Sequence, residues 1–357
     1  MKNILNYLKT NTKSFIESPL NCVDAVILCW LSYFRYPFYV KSGKAVTPNE
    51  MIKTGMLPEE ETFAMAFNPK SSRKLFRLVA TSPRFSGIKL CSYREETDEK
   101  TEKQFAAICM RITKGSYFIA FRGTDPSYVG WKEDLNQAYR YPVPSQISAY
   151  NYTVERMLRK PRARFYLGGH SKGGNMAVYS AFNADKELQK RIISVYNFDG
   201  PEFLDDVYKS EGYKNVSEKL IKIIPQSSFI GTLLDTRHVY RVIRSNGVSF
   251  LQHDPFSWVV EDGDFVTVDC RSKGAVRLEK AVNLWISEMP KKERERIIEM
   301  FYGALNALDV KDFNSFFRTF YRQLPALWGH YKKLETNDRA FFGDKIKRLH
   351  SLLKTQD

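Results

Sequence analysis

The chain has 357 residues, 43% hydrophobic and 14% aromatic, which suffices for one large domain with an accessory element and excludes a disordered or fibrous protein. A formal charge of +15, from 55 basic against 40 acidic residues, favours anionic partners, although it is spread along the chain and not gathered in one tract. Clusters such as Lys291 to Arg296 and Lys345 to Arg348 alternate with acidic or apolar residues in a helical rhythm. With no zinc-finger, RNP-like or helix-turn-helix pattern, nucleic acid is not expected as a partner.

Residues 1 to about 80 read as helical and loop-rich. Met1 to Thr10 is interrupted by polar residues every two or three positions and lacks the continuous apolar core of an export signal. Val23 to Phe34 is too short to span a bilayer and contains Asp24 and Ser32, so it reads as a buried helix. The five cysteines, Cys22, Cys29, Cys91, Cys109 and Cys270, are widely spaced without CxxC or CxxH patterns. They read as reduced core thiols, and the chain is expected to be cytoplasmic, with neither cofactor nor metal.

From Ile88 the period changes to that of strands. Ile88–Tyr93, Phe105–Ile112 and Ser116–Phe121 are short β-like runs separated by charged or Lys-Gly turns, predicting two adjacent hairpins. Strands then alternate with helices: helices at Trp131–Tyr139 and Ile147–Leu158, a strand running into Gly169, a helix from Asn175 to about Asn183, and strands at Arg191–Phe198, Leu220–Ile224 and Val239–Ile243. This alternation predicts an α/β fold with a mostly parallel sheet flanked by helices, its active groups at the carboxyl ends of the strands. From Val276 to Leu353 the chain reads as helical, with breaks near Pro290, Asp309 and Pro325. The expected division is therefore an α/β unit over residues 1–270, N-terminal helices included, and a C-terminal helical subdomain over 271–357.

The segment Arg164-Phe-Tyr-Leu-Gly-Gly-His-Ser-Lys-Gly-Gly-Asn-Met-Ala-Val-Tyr179 carries the chemistry. A β-type run enters Gly169-x-Ser171-x-Gly173 and a helix-forming run leaves it, the pattern of a serine nucleophile on a sharp strand-to-helix turn. Such a serine needs a histidine base and a carboxylate, in the order Ser, Asp/Glu, His. Of the five histidines, His170 adjoins the serine, His238 precedes a strand, and His330 and His350 lie in the C-terminal helices; His253, in a loop after the last strand, is the expected base. Asp199, at a strand end in Asn197-Phe-Asp-Gly-Pro201, and Asp235, after the next strand and a longer loop, are both candidates for the acid, Asp199 being favoured. The oxyanion donors are expected from the N–H of Lys172 and from Thr124, through its N–H and hydroxyl, in Arg122-Gly-Thr-Asp125.

Phe121-Arg-Gly-Thr-Asp125 with Trp131-x-x-Asp134-Leu135, and Gly169-His-Ser-Lys-Gly-Gly174, resemble stretches of class 3 lipases. The likeness is closer to the Mbeg1-like proteins, a lipase-like α/β-hydrolase family: the helix from Asp24 to Leu28, the GGHSKGGNMA elbow, NFDGP and QHDPFSW all fit its pattern over about residues 20 to 265. The resemblance implies an α/β-hydrolase fold, Ser171 as nucleophile, His253 as base, Asp199 as acid and Thr124 as an oxyanion donor. Lys172 departs from the leucine of the secreted lipases. Its cation is expected either to favour substrates with an anionic group or to lie on the helix surface.

These readings make the chain a serine hydrolase of carboxylic esters, with acylglycerols, phospholipids or acyl thioesters as substrate classes and an anionic membrane surface as a possible partner. The competing readings are a non-catalytic binding or membrane-surface protein on the same scaffold, and a peptidase or acyltransferase using the same three residues. The aromatic C-terminal helices, with Trp285, Phe301, Phe313, Phe316, Phe317, Phe320 and Trp328, are read either as a cap forming an acyl pocket or, preferentially, as the core of a helical unit.

Overall fold

The structure is a computed structural model that describes residues 2–42, 44–55, 68–204, 206–234, 239–307 and 313–355, without the side chains of 38, 39, 307, 313–321 and 324. Among the described residues seven strands stand side by side in sequence order: β1 (Lys89–Asp98), β2 (Lys103–Thr113), β3 (Ser116–Phe121), β4 (Arg164–His170), β5 (Ile192–Phe198), β6 (Leu220–Pro225) and β7 (Arg241–Ile243). The first three form two antiparallel hairpin pairs, and every pairing from β3 to β7 is parallel.

Among the described residues five helices precede the sheet: α1 (Ile4–Thr10), α2 (Cys22–Trp30), α3 (Phe38–Lys41), α4 (Pro48–Lys53) and α5 (Pro69–Thr81). The crossovers are α6 (Tyr128–Asn136) and α7 (Pro144–Leu158) between β3 and β4, α8 (Lys172–Asn183) and α9 (Lys186–Arg191) before β5, and α10 (Glu211–Ser217) before β6. Because side chains alternate across a strand, the two faces of the sheet feed separate cores. Ala106, Ile108, Phe118 and Tyr196 face the N-terminal helices, whereas Phe105, Ala107, Phe121 and Leu167 face α7 and α8. Each fully buried large side chain contributes about 1.5–3 kcal/mol relative to exposure, and both cores lock the strand ends that carry the functional groups.

The expected buried helix is α2. Asn21 caps it, accepting from the Asp24 N–H at 2.9 Å, while Asp24 accepts from the Asn21 N–H at 3.0 Å. Its buried carboxylate is compensated by Arg84 at 2.5 Å and by the Tyr7 hydroxyl at 2.8 Å, so the charge inside the apolar run is paired.

Several element readings differ from the structure, among them the helix expected at Trp131–Tyr139, which is α6 at Tyr128–Asn136. Strand β1 continues to Asp98 because a bulge at Ser92 and Tyr93, with Ser92 at φ 57°, breaks the alternation that would have marked the rest. The last strand holds only Arg241–Ile243, leaving Val239 and Tyr240 before it. The expected break at Pro325 is absent: the helix there runs through it, since one proline removes a single ladder bond from a helix of 21 residues.

After a small hairpin, β8 (Val260–Glu261) with β9 (Asp264–Phe265), come α11 (Lys273–Glu288), α12 (Lys291–Ala307), α13 (Phe313–Lys333) and α14 (Thr336–Thr355). Their cluster of Met289, Ile297, Ile298, Tyr302 and Leu305 packs against Tyr128, Trp131 and Leu135 of α6. Trp285 and Phe301 belong to it, Trp328 is 58% exposed, and the other four aromatic side chains of the cap reading are outside the described residues. Among the described residues no helix is long and apolar enough to cross a membrane.

Candidate active site

Strand β4 delivers Ser171 and helix α8 begins one residue later, so the serine sits on the turn with φ 58° and ψ −136°. This conformation is strained for any residue with a side chain and persists because the surroundings fix it. The Ser171 N–H donates to the Phe198 carbonyl at 2.9 Å, tying the elbow to the end of β5. A side chain at Gly169 would run into the backbone of Gly173, and one at Gly173 into the Phe121 carbonyl, which is why glycine stands at both positions. As the first residue of α8, Lys172 has an N–H with no intrahelical acceptor and none elsewhere among the described residues.

Strand β5 ends on Asp199, held at φ 52° with its N–H donating to Ile223 at 2.9 Å. The carboxylate is buried: Oδ1 accepts from the Ser228 hydroxyl, and Oδ2 lies 2.6 Å from Nδ1 of His253. An ionised carboxylate only accepts, so Nδ1 of His253 carries the hydrogen and Nε2 is left as the basic nitrogen. His253 closes a one-turn helix from Ser249. Gln252 anchors this loop, accepting from the Ser227 N–H and from the Trp258 indole N–H, both at 2.8 Å. Asp254 caps the next turn through the Phe256 N–H at 3.0 Å, and burial pushes its carboxyl up to about 6. No hydrogen bond joins Ser171 Oγ to His253, a contact that in unliganded sites often tightens only with substrate. Asp235, the alternative acid, and His238 lie outside the described residues.

Thr124 lies on the loop after β3, beside the elbow: a Cβ on neighbouring Gly123 would collide with the Tyr33 hydroxyl and lie 3.0 Å from Ser171 Cβ. The Thr124 hydroxyl donates to Oδ2 of Asp134. Its single hydrogen is thereby committed to a carboxylate, and what remains for a substrate oxygen is the N–H, not the N–H and hydroxyl together. Burial pushes the Asp134 carboxyl up to about 6, with the Lys172 ammonium and the Thr124 hydroxyl pulling the other way.

Neither expectation for the Lys172 cation holds. The side chain is 1% exposed, and Nζ donates to the Gln104 carbonyl at 3.1 Å, to Gln104 Oε1 at 2.8 Å and to Glu133 Oε2 at 3.0 Å. All three ammonium hydrogens are used inside the protein, so the charge is available neither to a substrate nor to solvent. Glu133 also accepts from the N–H groups of Gln104 and Ser145, at 2.9 and 2.7 Å.

His170 stands closer to the site than its place in the sequence signals. Its ring centroid is 4.4 Å from that of His253, and Nε2 lies 2.8 Å from the His253 carbonyl. A carbonyl cannot donate, so Nε2 bears the hydrogen and Nδ1 accepts from the Tyr33 hydroxyl at 3.0 Å. Burial, then the neighbouring His253, hold His170 well below the ordinary imidazole value, in the neutral form this pattern requires. No sequence pattern joins Tyr33 to this pair; only the packing of α2 and the following turn over β4 brings it there.

The family model described as Mbeg1-like matches residues 79–303, more than half of the chain, beginning after the helix of Asp24 and reaching into α12. Among solved structures the chain is similar to Lip2 lipase from Yarrowia lipolytica, at 12% identity over 53% of this chain and 72% of that one, with TM-score 0.35. It is also similar to the lipase of Rhizomucor miehei in its propeptide complex, at 15% identity over 60% and 73%, TM-score 0.37. Lipase II from Rhizopus niveus gives 12% identity over 62% and 80%, TM-score 0.33. These likenesses bear on fold alone. Among curated proteins none matches.

Proposed function

Since the chain belongs to the Mbeg1-like family, we propose that this lipase-like α/β-hydrolase cleaves carboxylic esters through Ser171, with His253 as base and Asp199 orienting it. The observation that carries this reading is the 2.6 Å bond between Asp199 and His253 Nδ1, on a loop whose neighbour His170 is one residue from the strained serine. In the proposed reaction Ser171 Oγ attacks the ester carbonyl while His253 Nε2 takes its proton and returns it to the leaving alcohol. The N–H groups of Lys172 and Thr124 receive the developing oxyanion. Water, activated by the same imidazole, then releases the acid. With the Lys172 charge consumed internally, the substrate needs no anionic group beside the scissile bond, which favours neutral acyl esters such as acylglycerols. Cytoplasmic residence belongs to the same proposal. Turnover of short p-nitrophenyl esters tests it: the native chain hydrolyses them and well-folded Ser171→Ala does not, whereas equal rates in both overturn it.

A further inference from the structure

On the far hairpin of the sheet, Cys91 of β1 and Cys109 of β2 are direct cross-strand partners. We propose that these two thiols form a peroxide-responsive pair that closes to a disulfide. Directly opposed residues of antiparallel strands have Cα atoms about 4.5–5.5 Å apart and side chains on the same face, inside the roughly 4.4–6.8 Å that disulfides span. The Cys91 thiol donates to the Cys109 carbonyl at 3.3 Å.

The pair is chemically asymmetric. The neighbouring Cys109 thiol, then Ser92, Arg156 and Lys160, pull the Cys91 thiol below its ordinary value against burial. Cys109 is 4% exposed and held as the thiol, by the neighbouring Cys91 first and by burial second. Cys22 and Cys29 are pushed up by burial alone or chiefly so, which leaves them inert by comparison. Half-buried Cys91 is thus the attacking sulfur and Cys109 the resolving one. The Cys91 thiolate displaces hydroxide from the peroxide, giving a sulfenic acid and, with one proton, water. The Cys109 sulfur then attacks that sulfenic sulfur, and its hydroxyl leaves as a second water with the Cys109 proton. Two thiols are oxidised and one peroxide is reduced.

The test is to treat the full chain with hydrogen peroxide, titrate its thiols and map peptides without reduction. The expected result is the loss of two of the five thiols and a peptide linking Cys91 to Cys109. Cys91→Ser keeps Cys109 reduced, and both Cys109→Ser and Cys109→Ala leave a Cys91 sulfenic acid that dimedone traps. Five thiols after treatment, a Cys91 acid without the link in the native chain, or oxidation of Cys109 in Cys91→Ser overturns the proposal. Ester hydrolysis plays no part in these readouts, so failure here is distinct from failure of the proposed activity.

Discussion

Asp199 and Thr124 make the residue-scale claims most open to test. If Asp199 fixes the His253 tautomer, Asp199→Asn lowers kcat by about 10³- to 10⁴-fold, while Asp235→Asn stays within about tenfold of the native chain; steady-state kinetics decide, and the reverse ranking moves the role to Asp235. Thr124→Val removes the anchor to Asp134 and is expected to slow turnover by about 10- to 1000-fold, the scale of a disturbed oxyanion donor. A change in KM alone would instead make Thr124 a binding residue. His170 predicts a pH effect on stability. Burial keeps it neutral in the folded chain, whereas the unfolded chain takes up a proton near 6.5. The unfolded state then binds more protons, so this contribution is present above about pH 6.5 and lost as pH falls below it. Thermal melts at descending pH should show a shallower fall for His170→Phe than for the native chain, and parallel curves would remove His170 as the cause.

Elements explain why some of the site is legible in the sequence and some is not. Ser171, Asp199 and His253 each follow a strand end, and strand ends leave a signal: an apolar run broken by glycine, proline or a polar cluster. The direction of a side chain leaves none. Lys172 sits where a surface cation is as natural as a buried one, and only the meeting of β2, α6 and α8 turns it inward to Gln104 and Glu133. The strand β1 was readable up to its bulge and then lost, because edge residues such as Arg94 to Glu96 pair without being apolar. Lys172→Met removes the cation that joins these three elements and leaves the Glu133 carboxylate buried without its counter-charge, so unfolding by urea should report about 3–5 kcal/mol of lost stability. A loss below about 1 kcal/mol would mean that the two backbone N–H groups satisfy Glu133 unaided.

For the whole molecule, the C-terminal helices and the net charge set the questions. The helices were readable as helices, but their seat on α6 depends on Tyr128, Trp131 and Leu135, which carry no mark of a partner so far along the chain. The charge of +15 predicts binding to anionic lipid vesicles that weakens steeply as salt rises from about 50 to 500 mM, because screening shortens the Debye length. Vesicle binding that ignores salt, or none at all, leaves the charge as a solubility feature. The proposed activity of the molecule rests on a nucleophilic serine at the end of β4. A fluorophosphonate reacts far faster with a serine activated by its base and oxyanion donors than with an ordinary hydroxyl, so mass spectrometry of the labelled chain tests the role of Ser171 most directly. The predicted result is a single adduct on Ser171 that is lost in Ser171→Ala; a folded native chain that takes up no label, or is labelled at another residue while Ser171 stays unmodified, contradicts it.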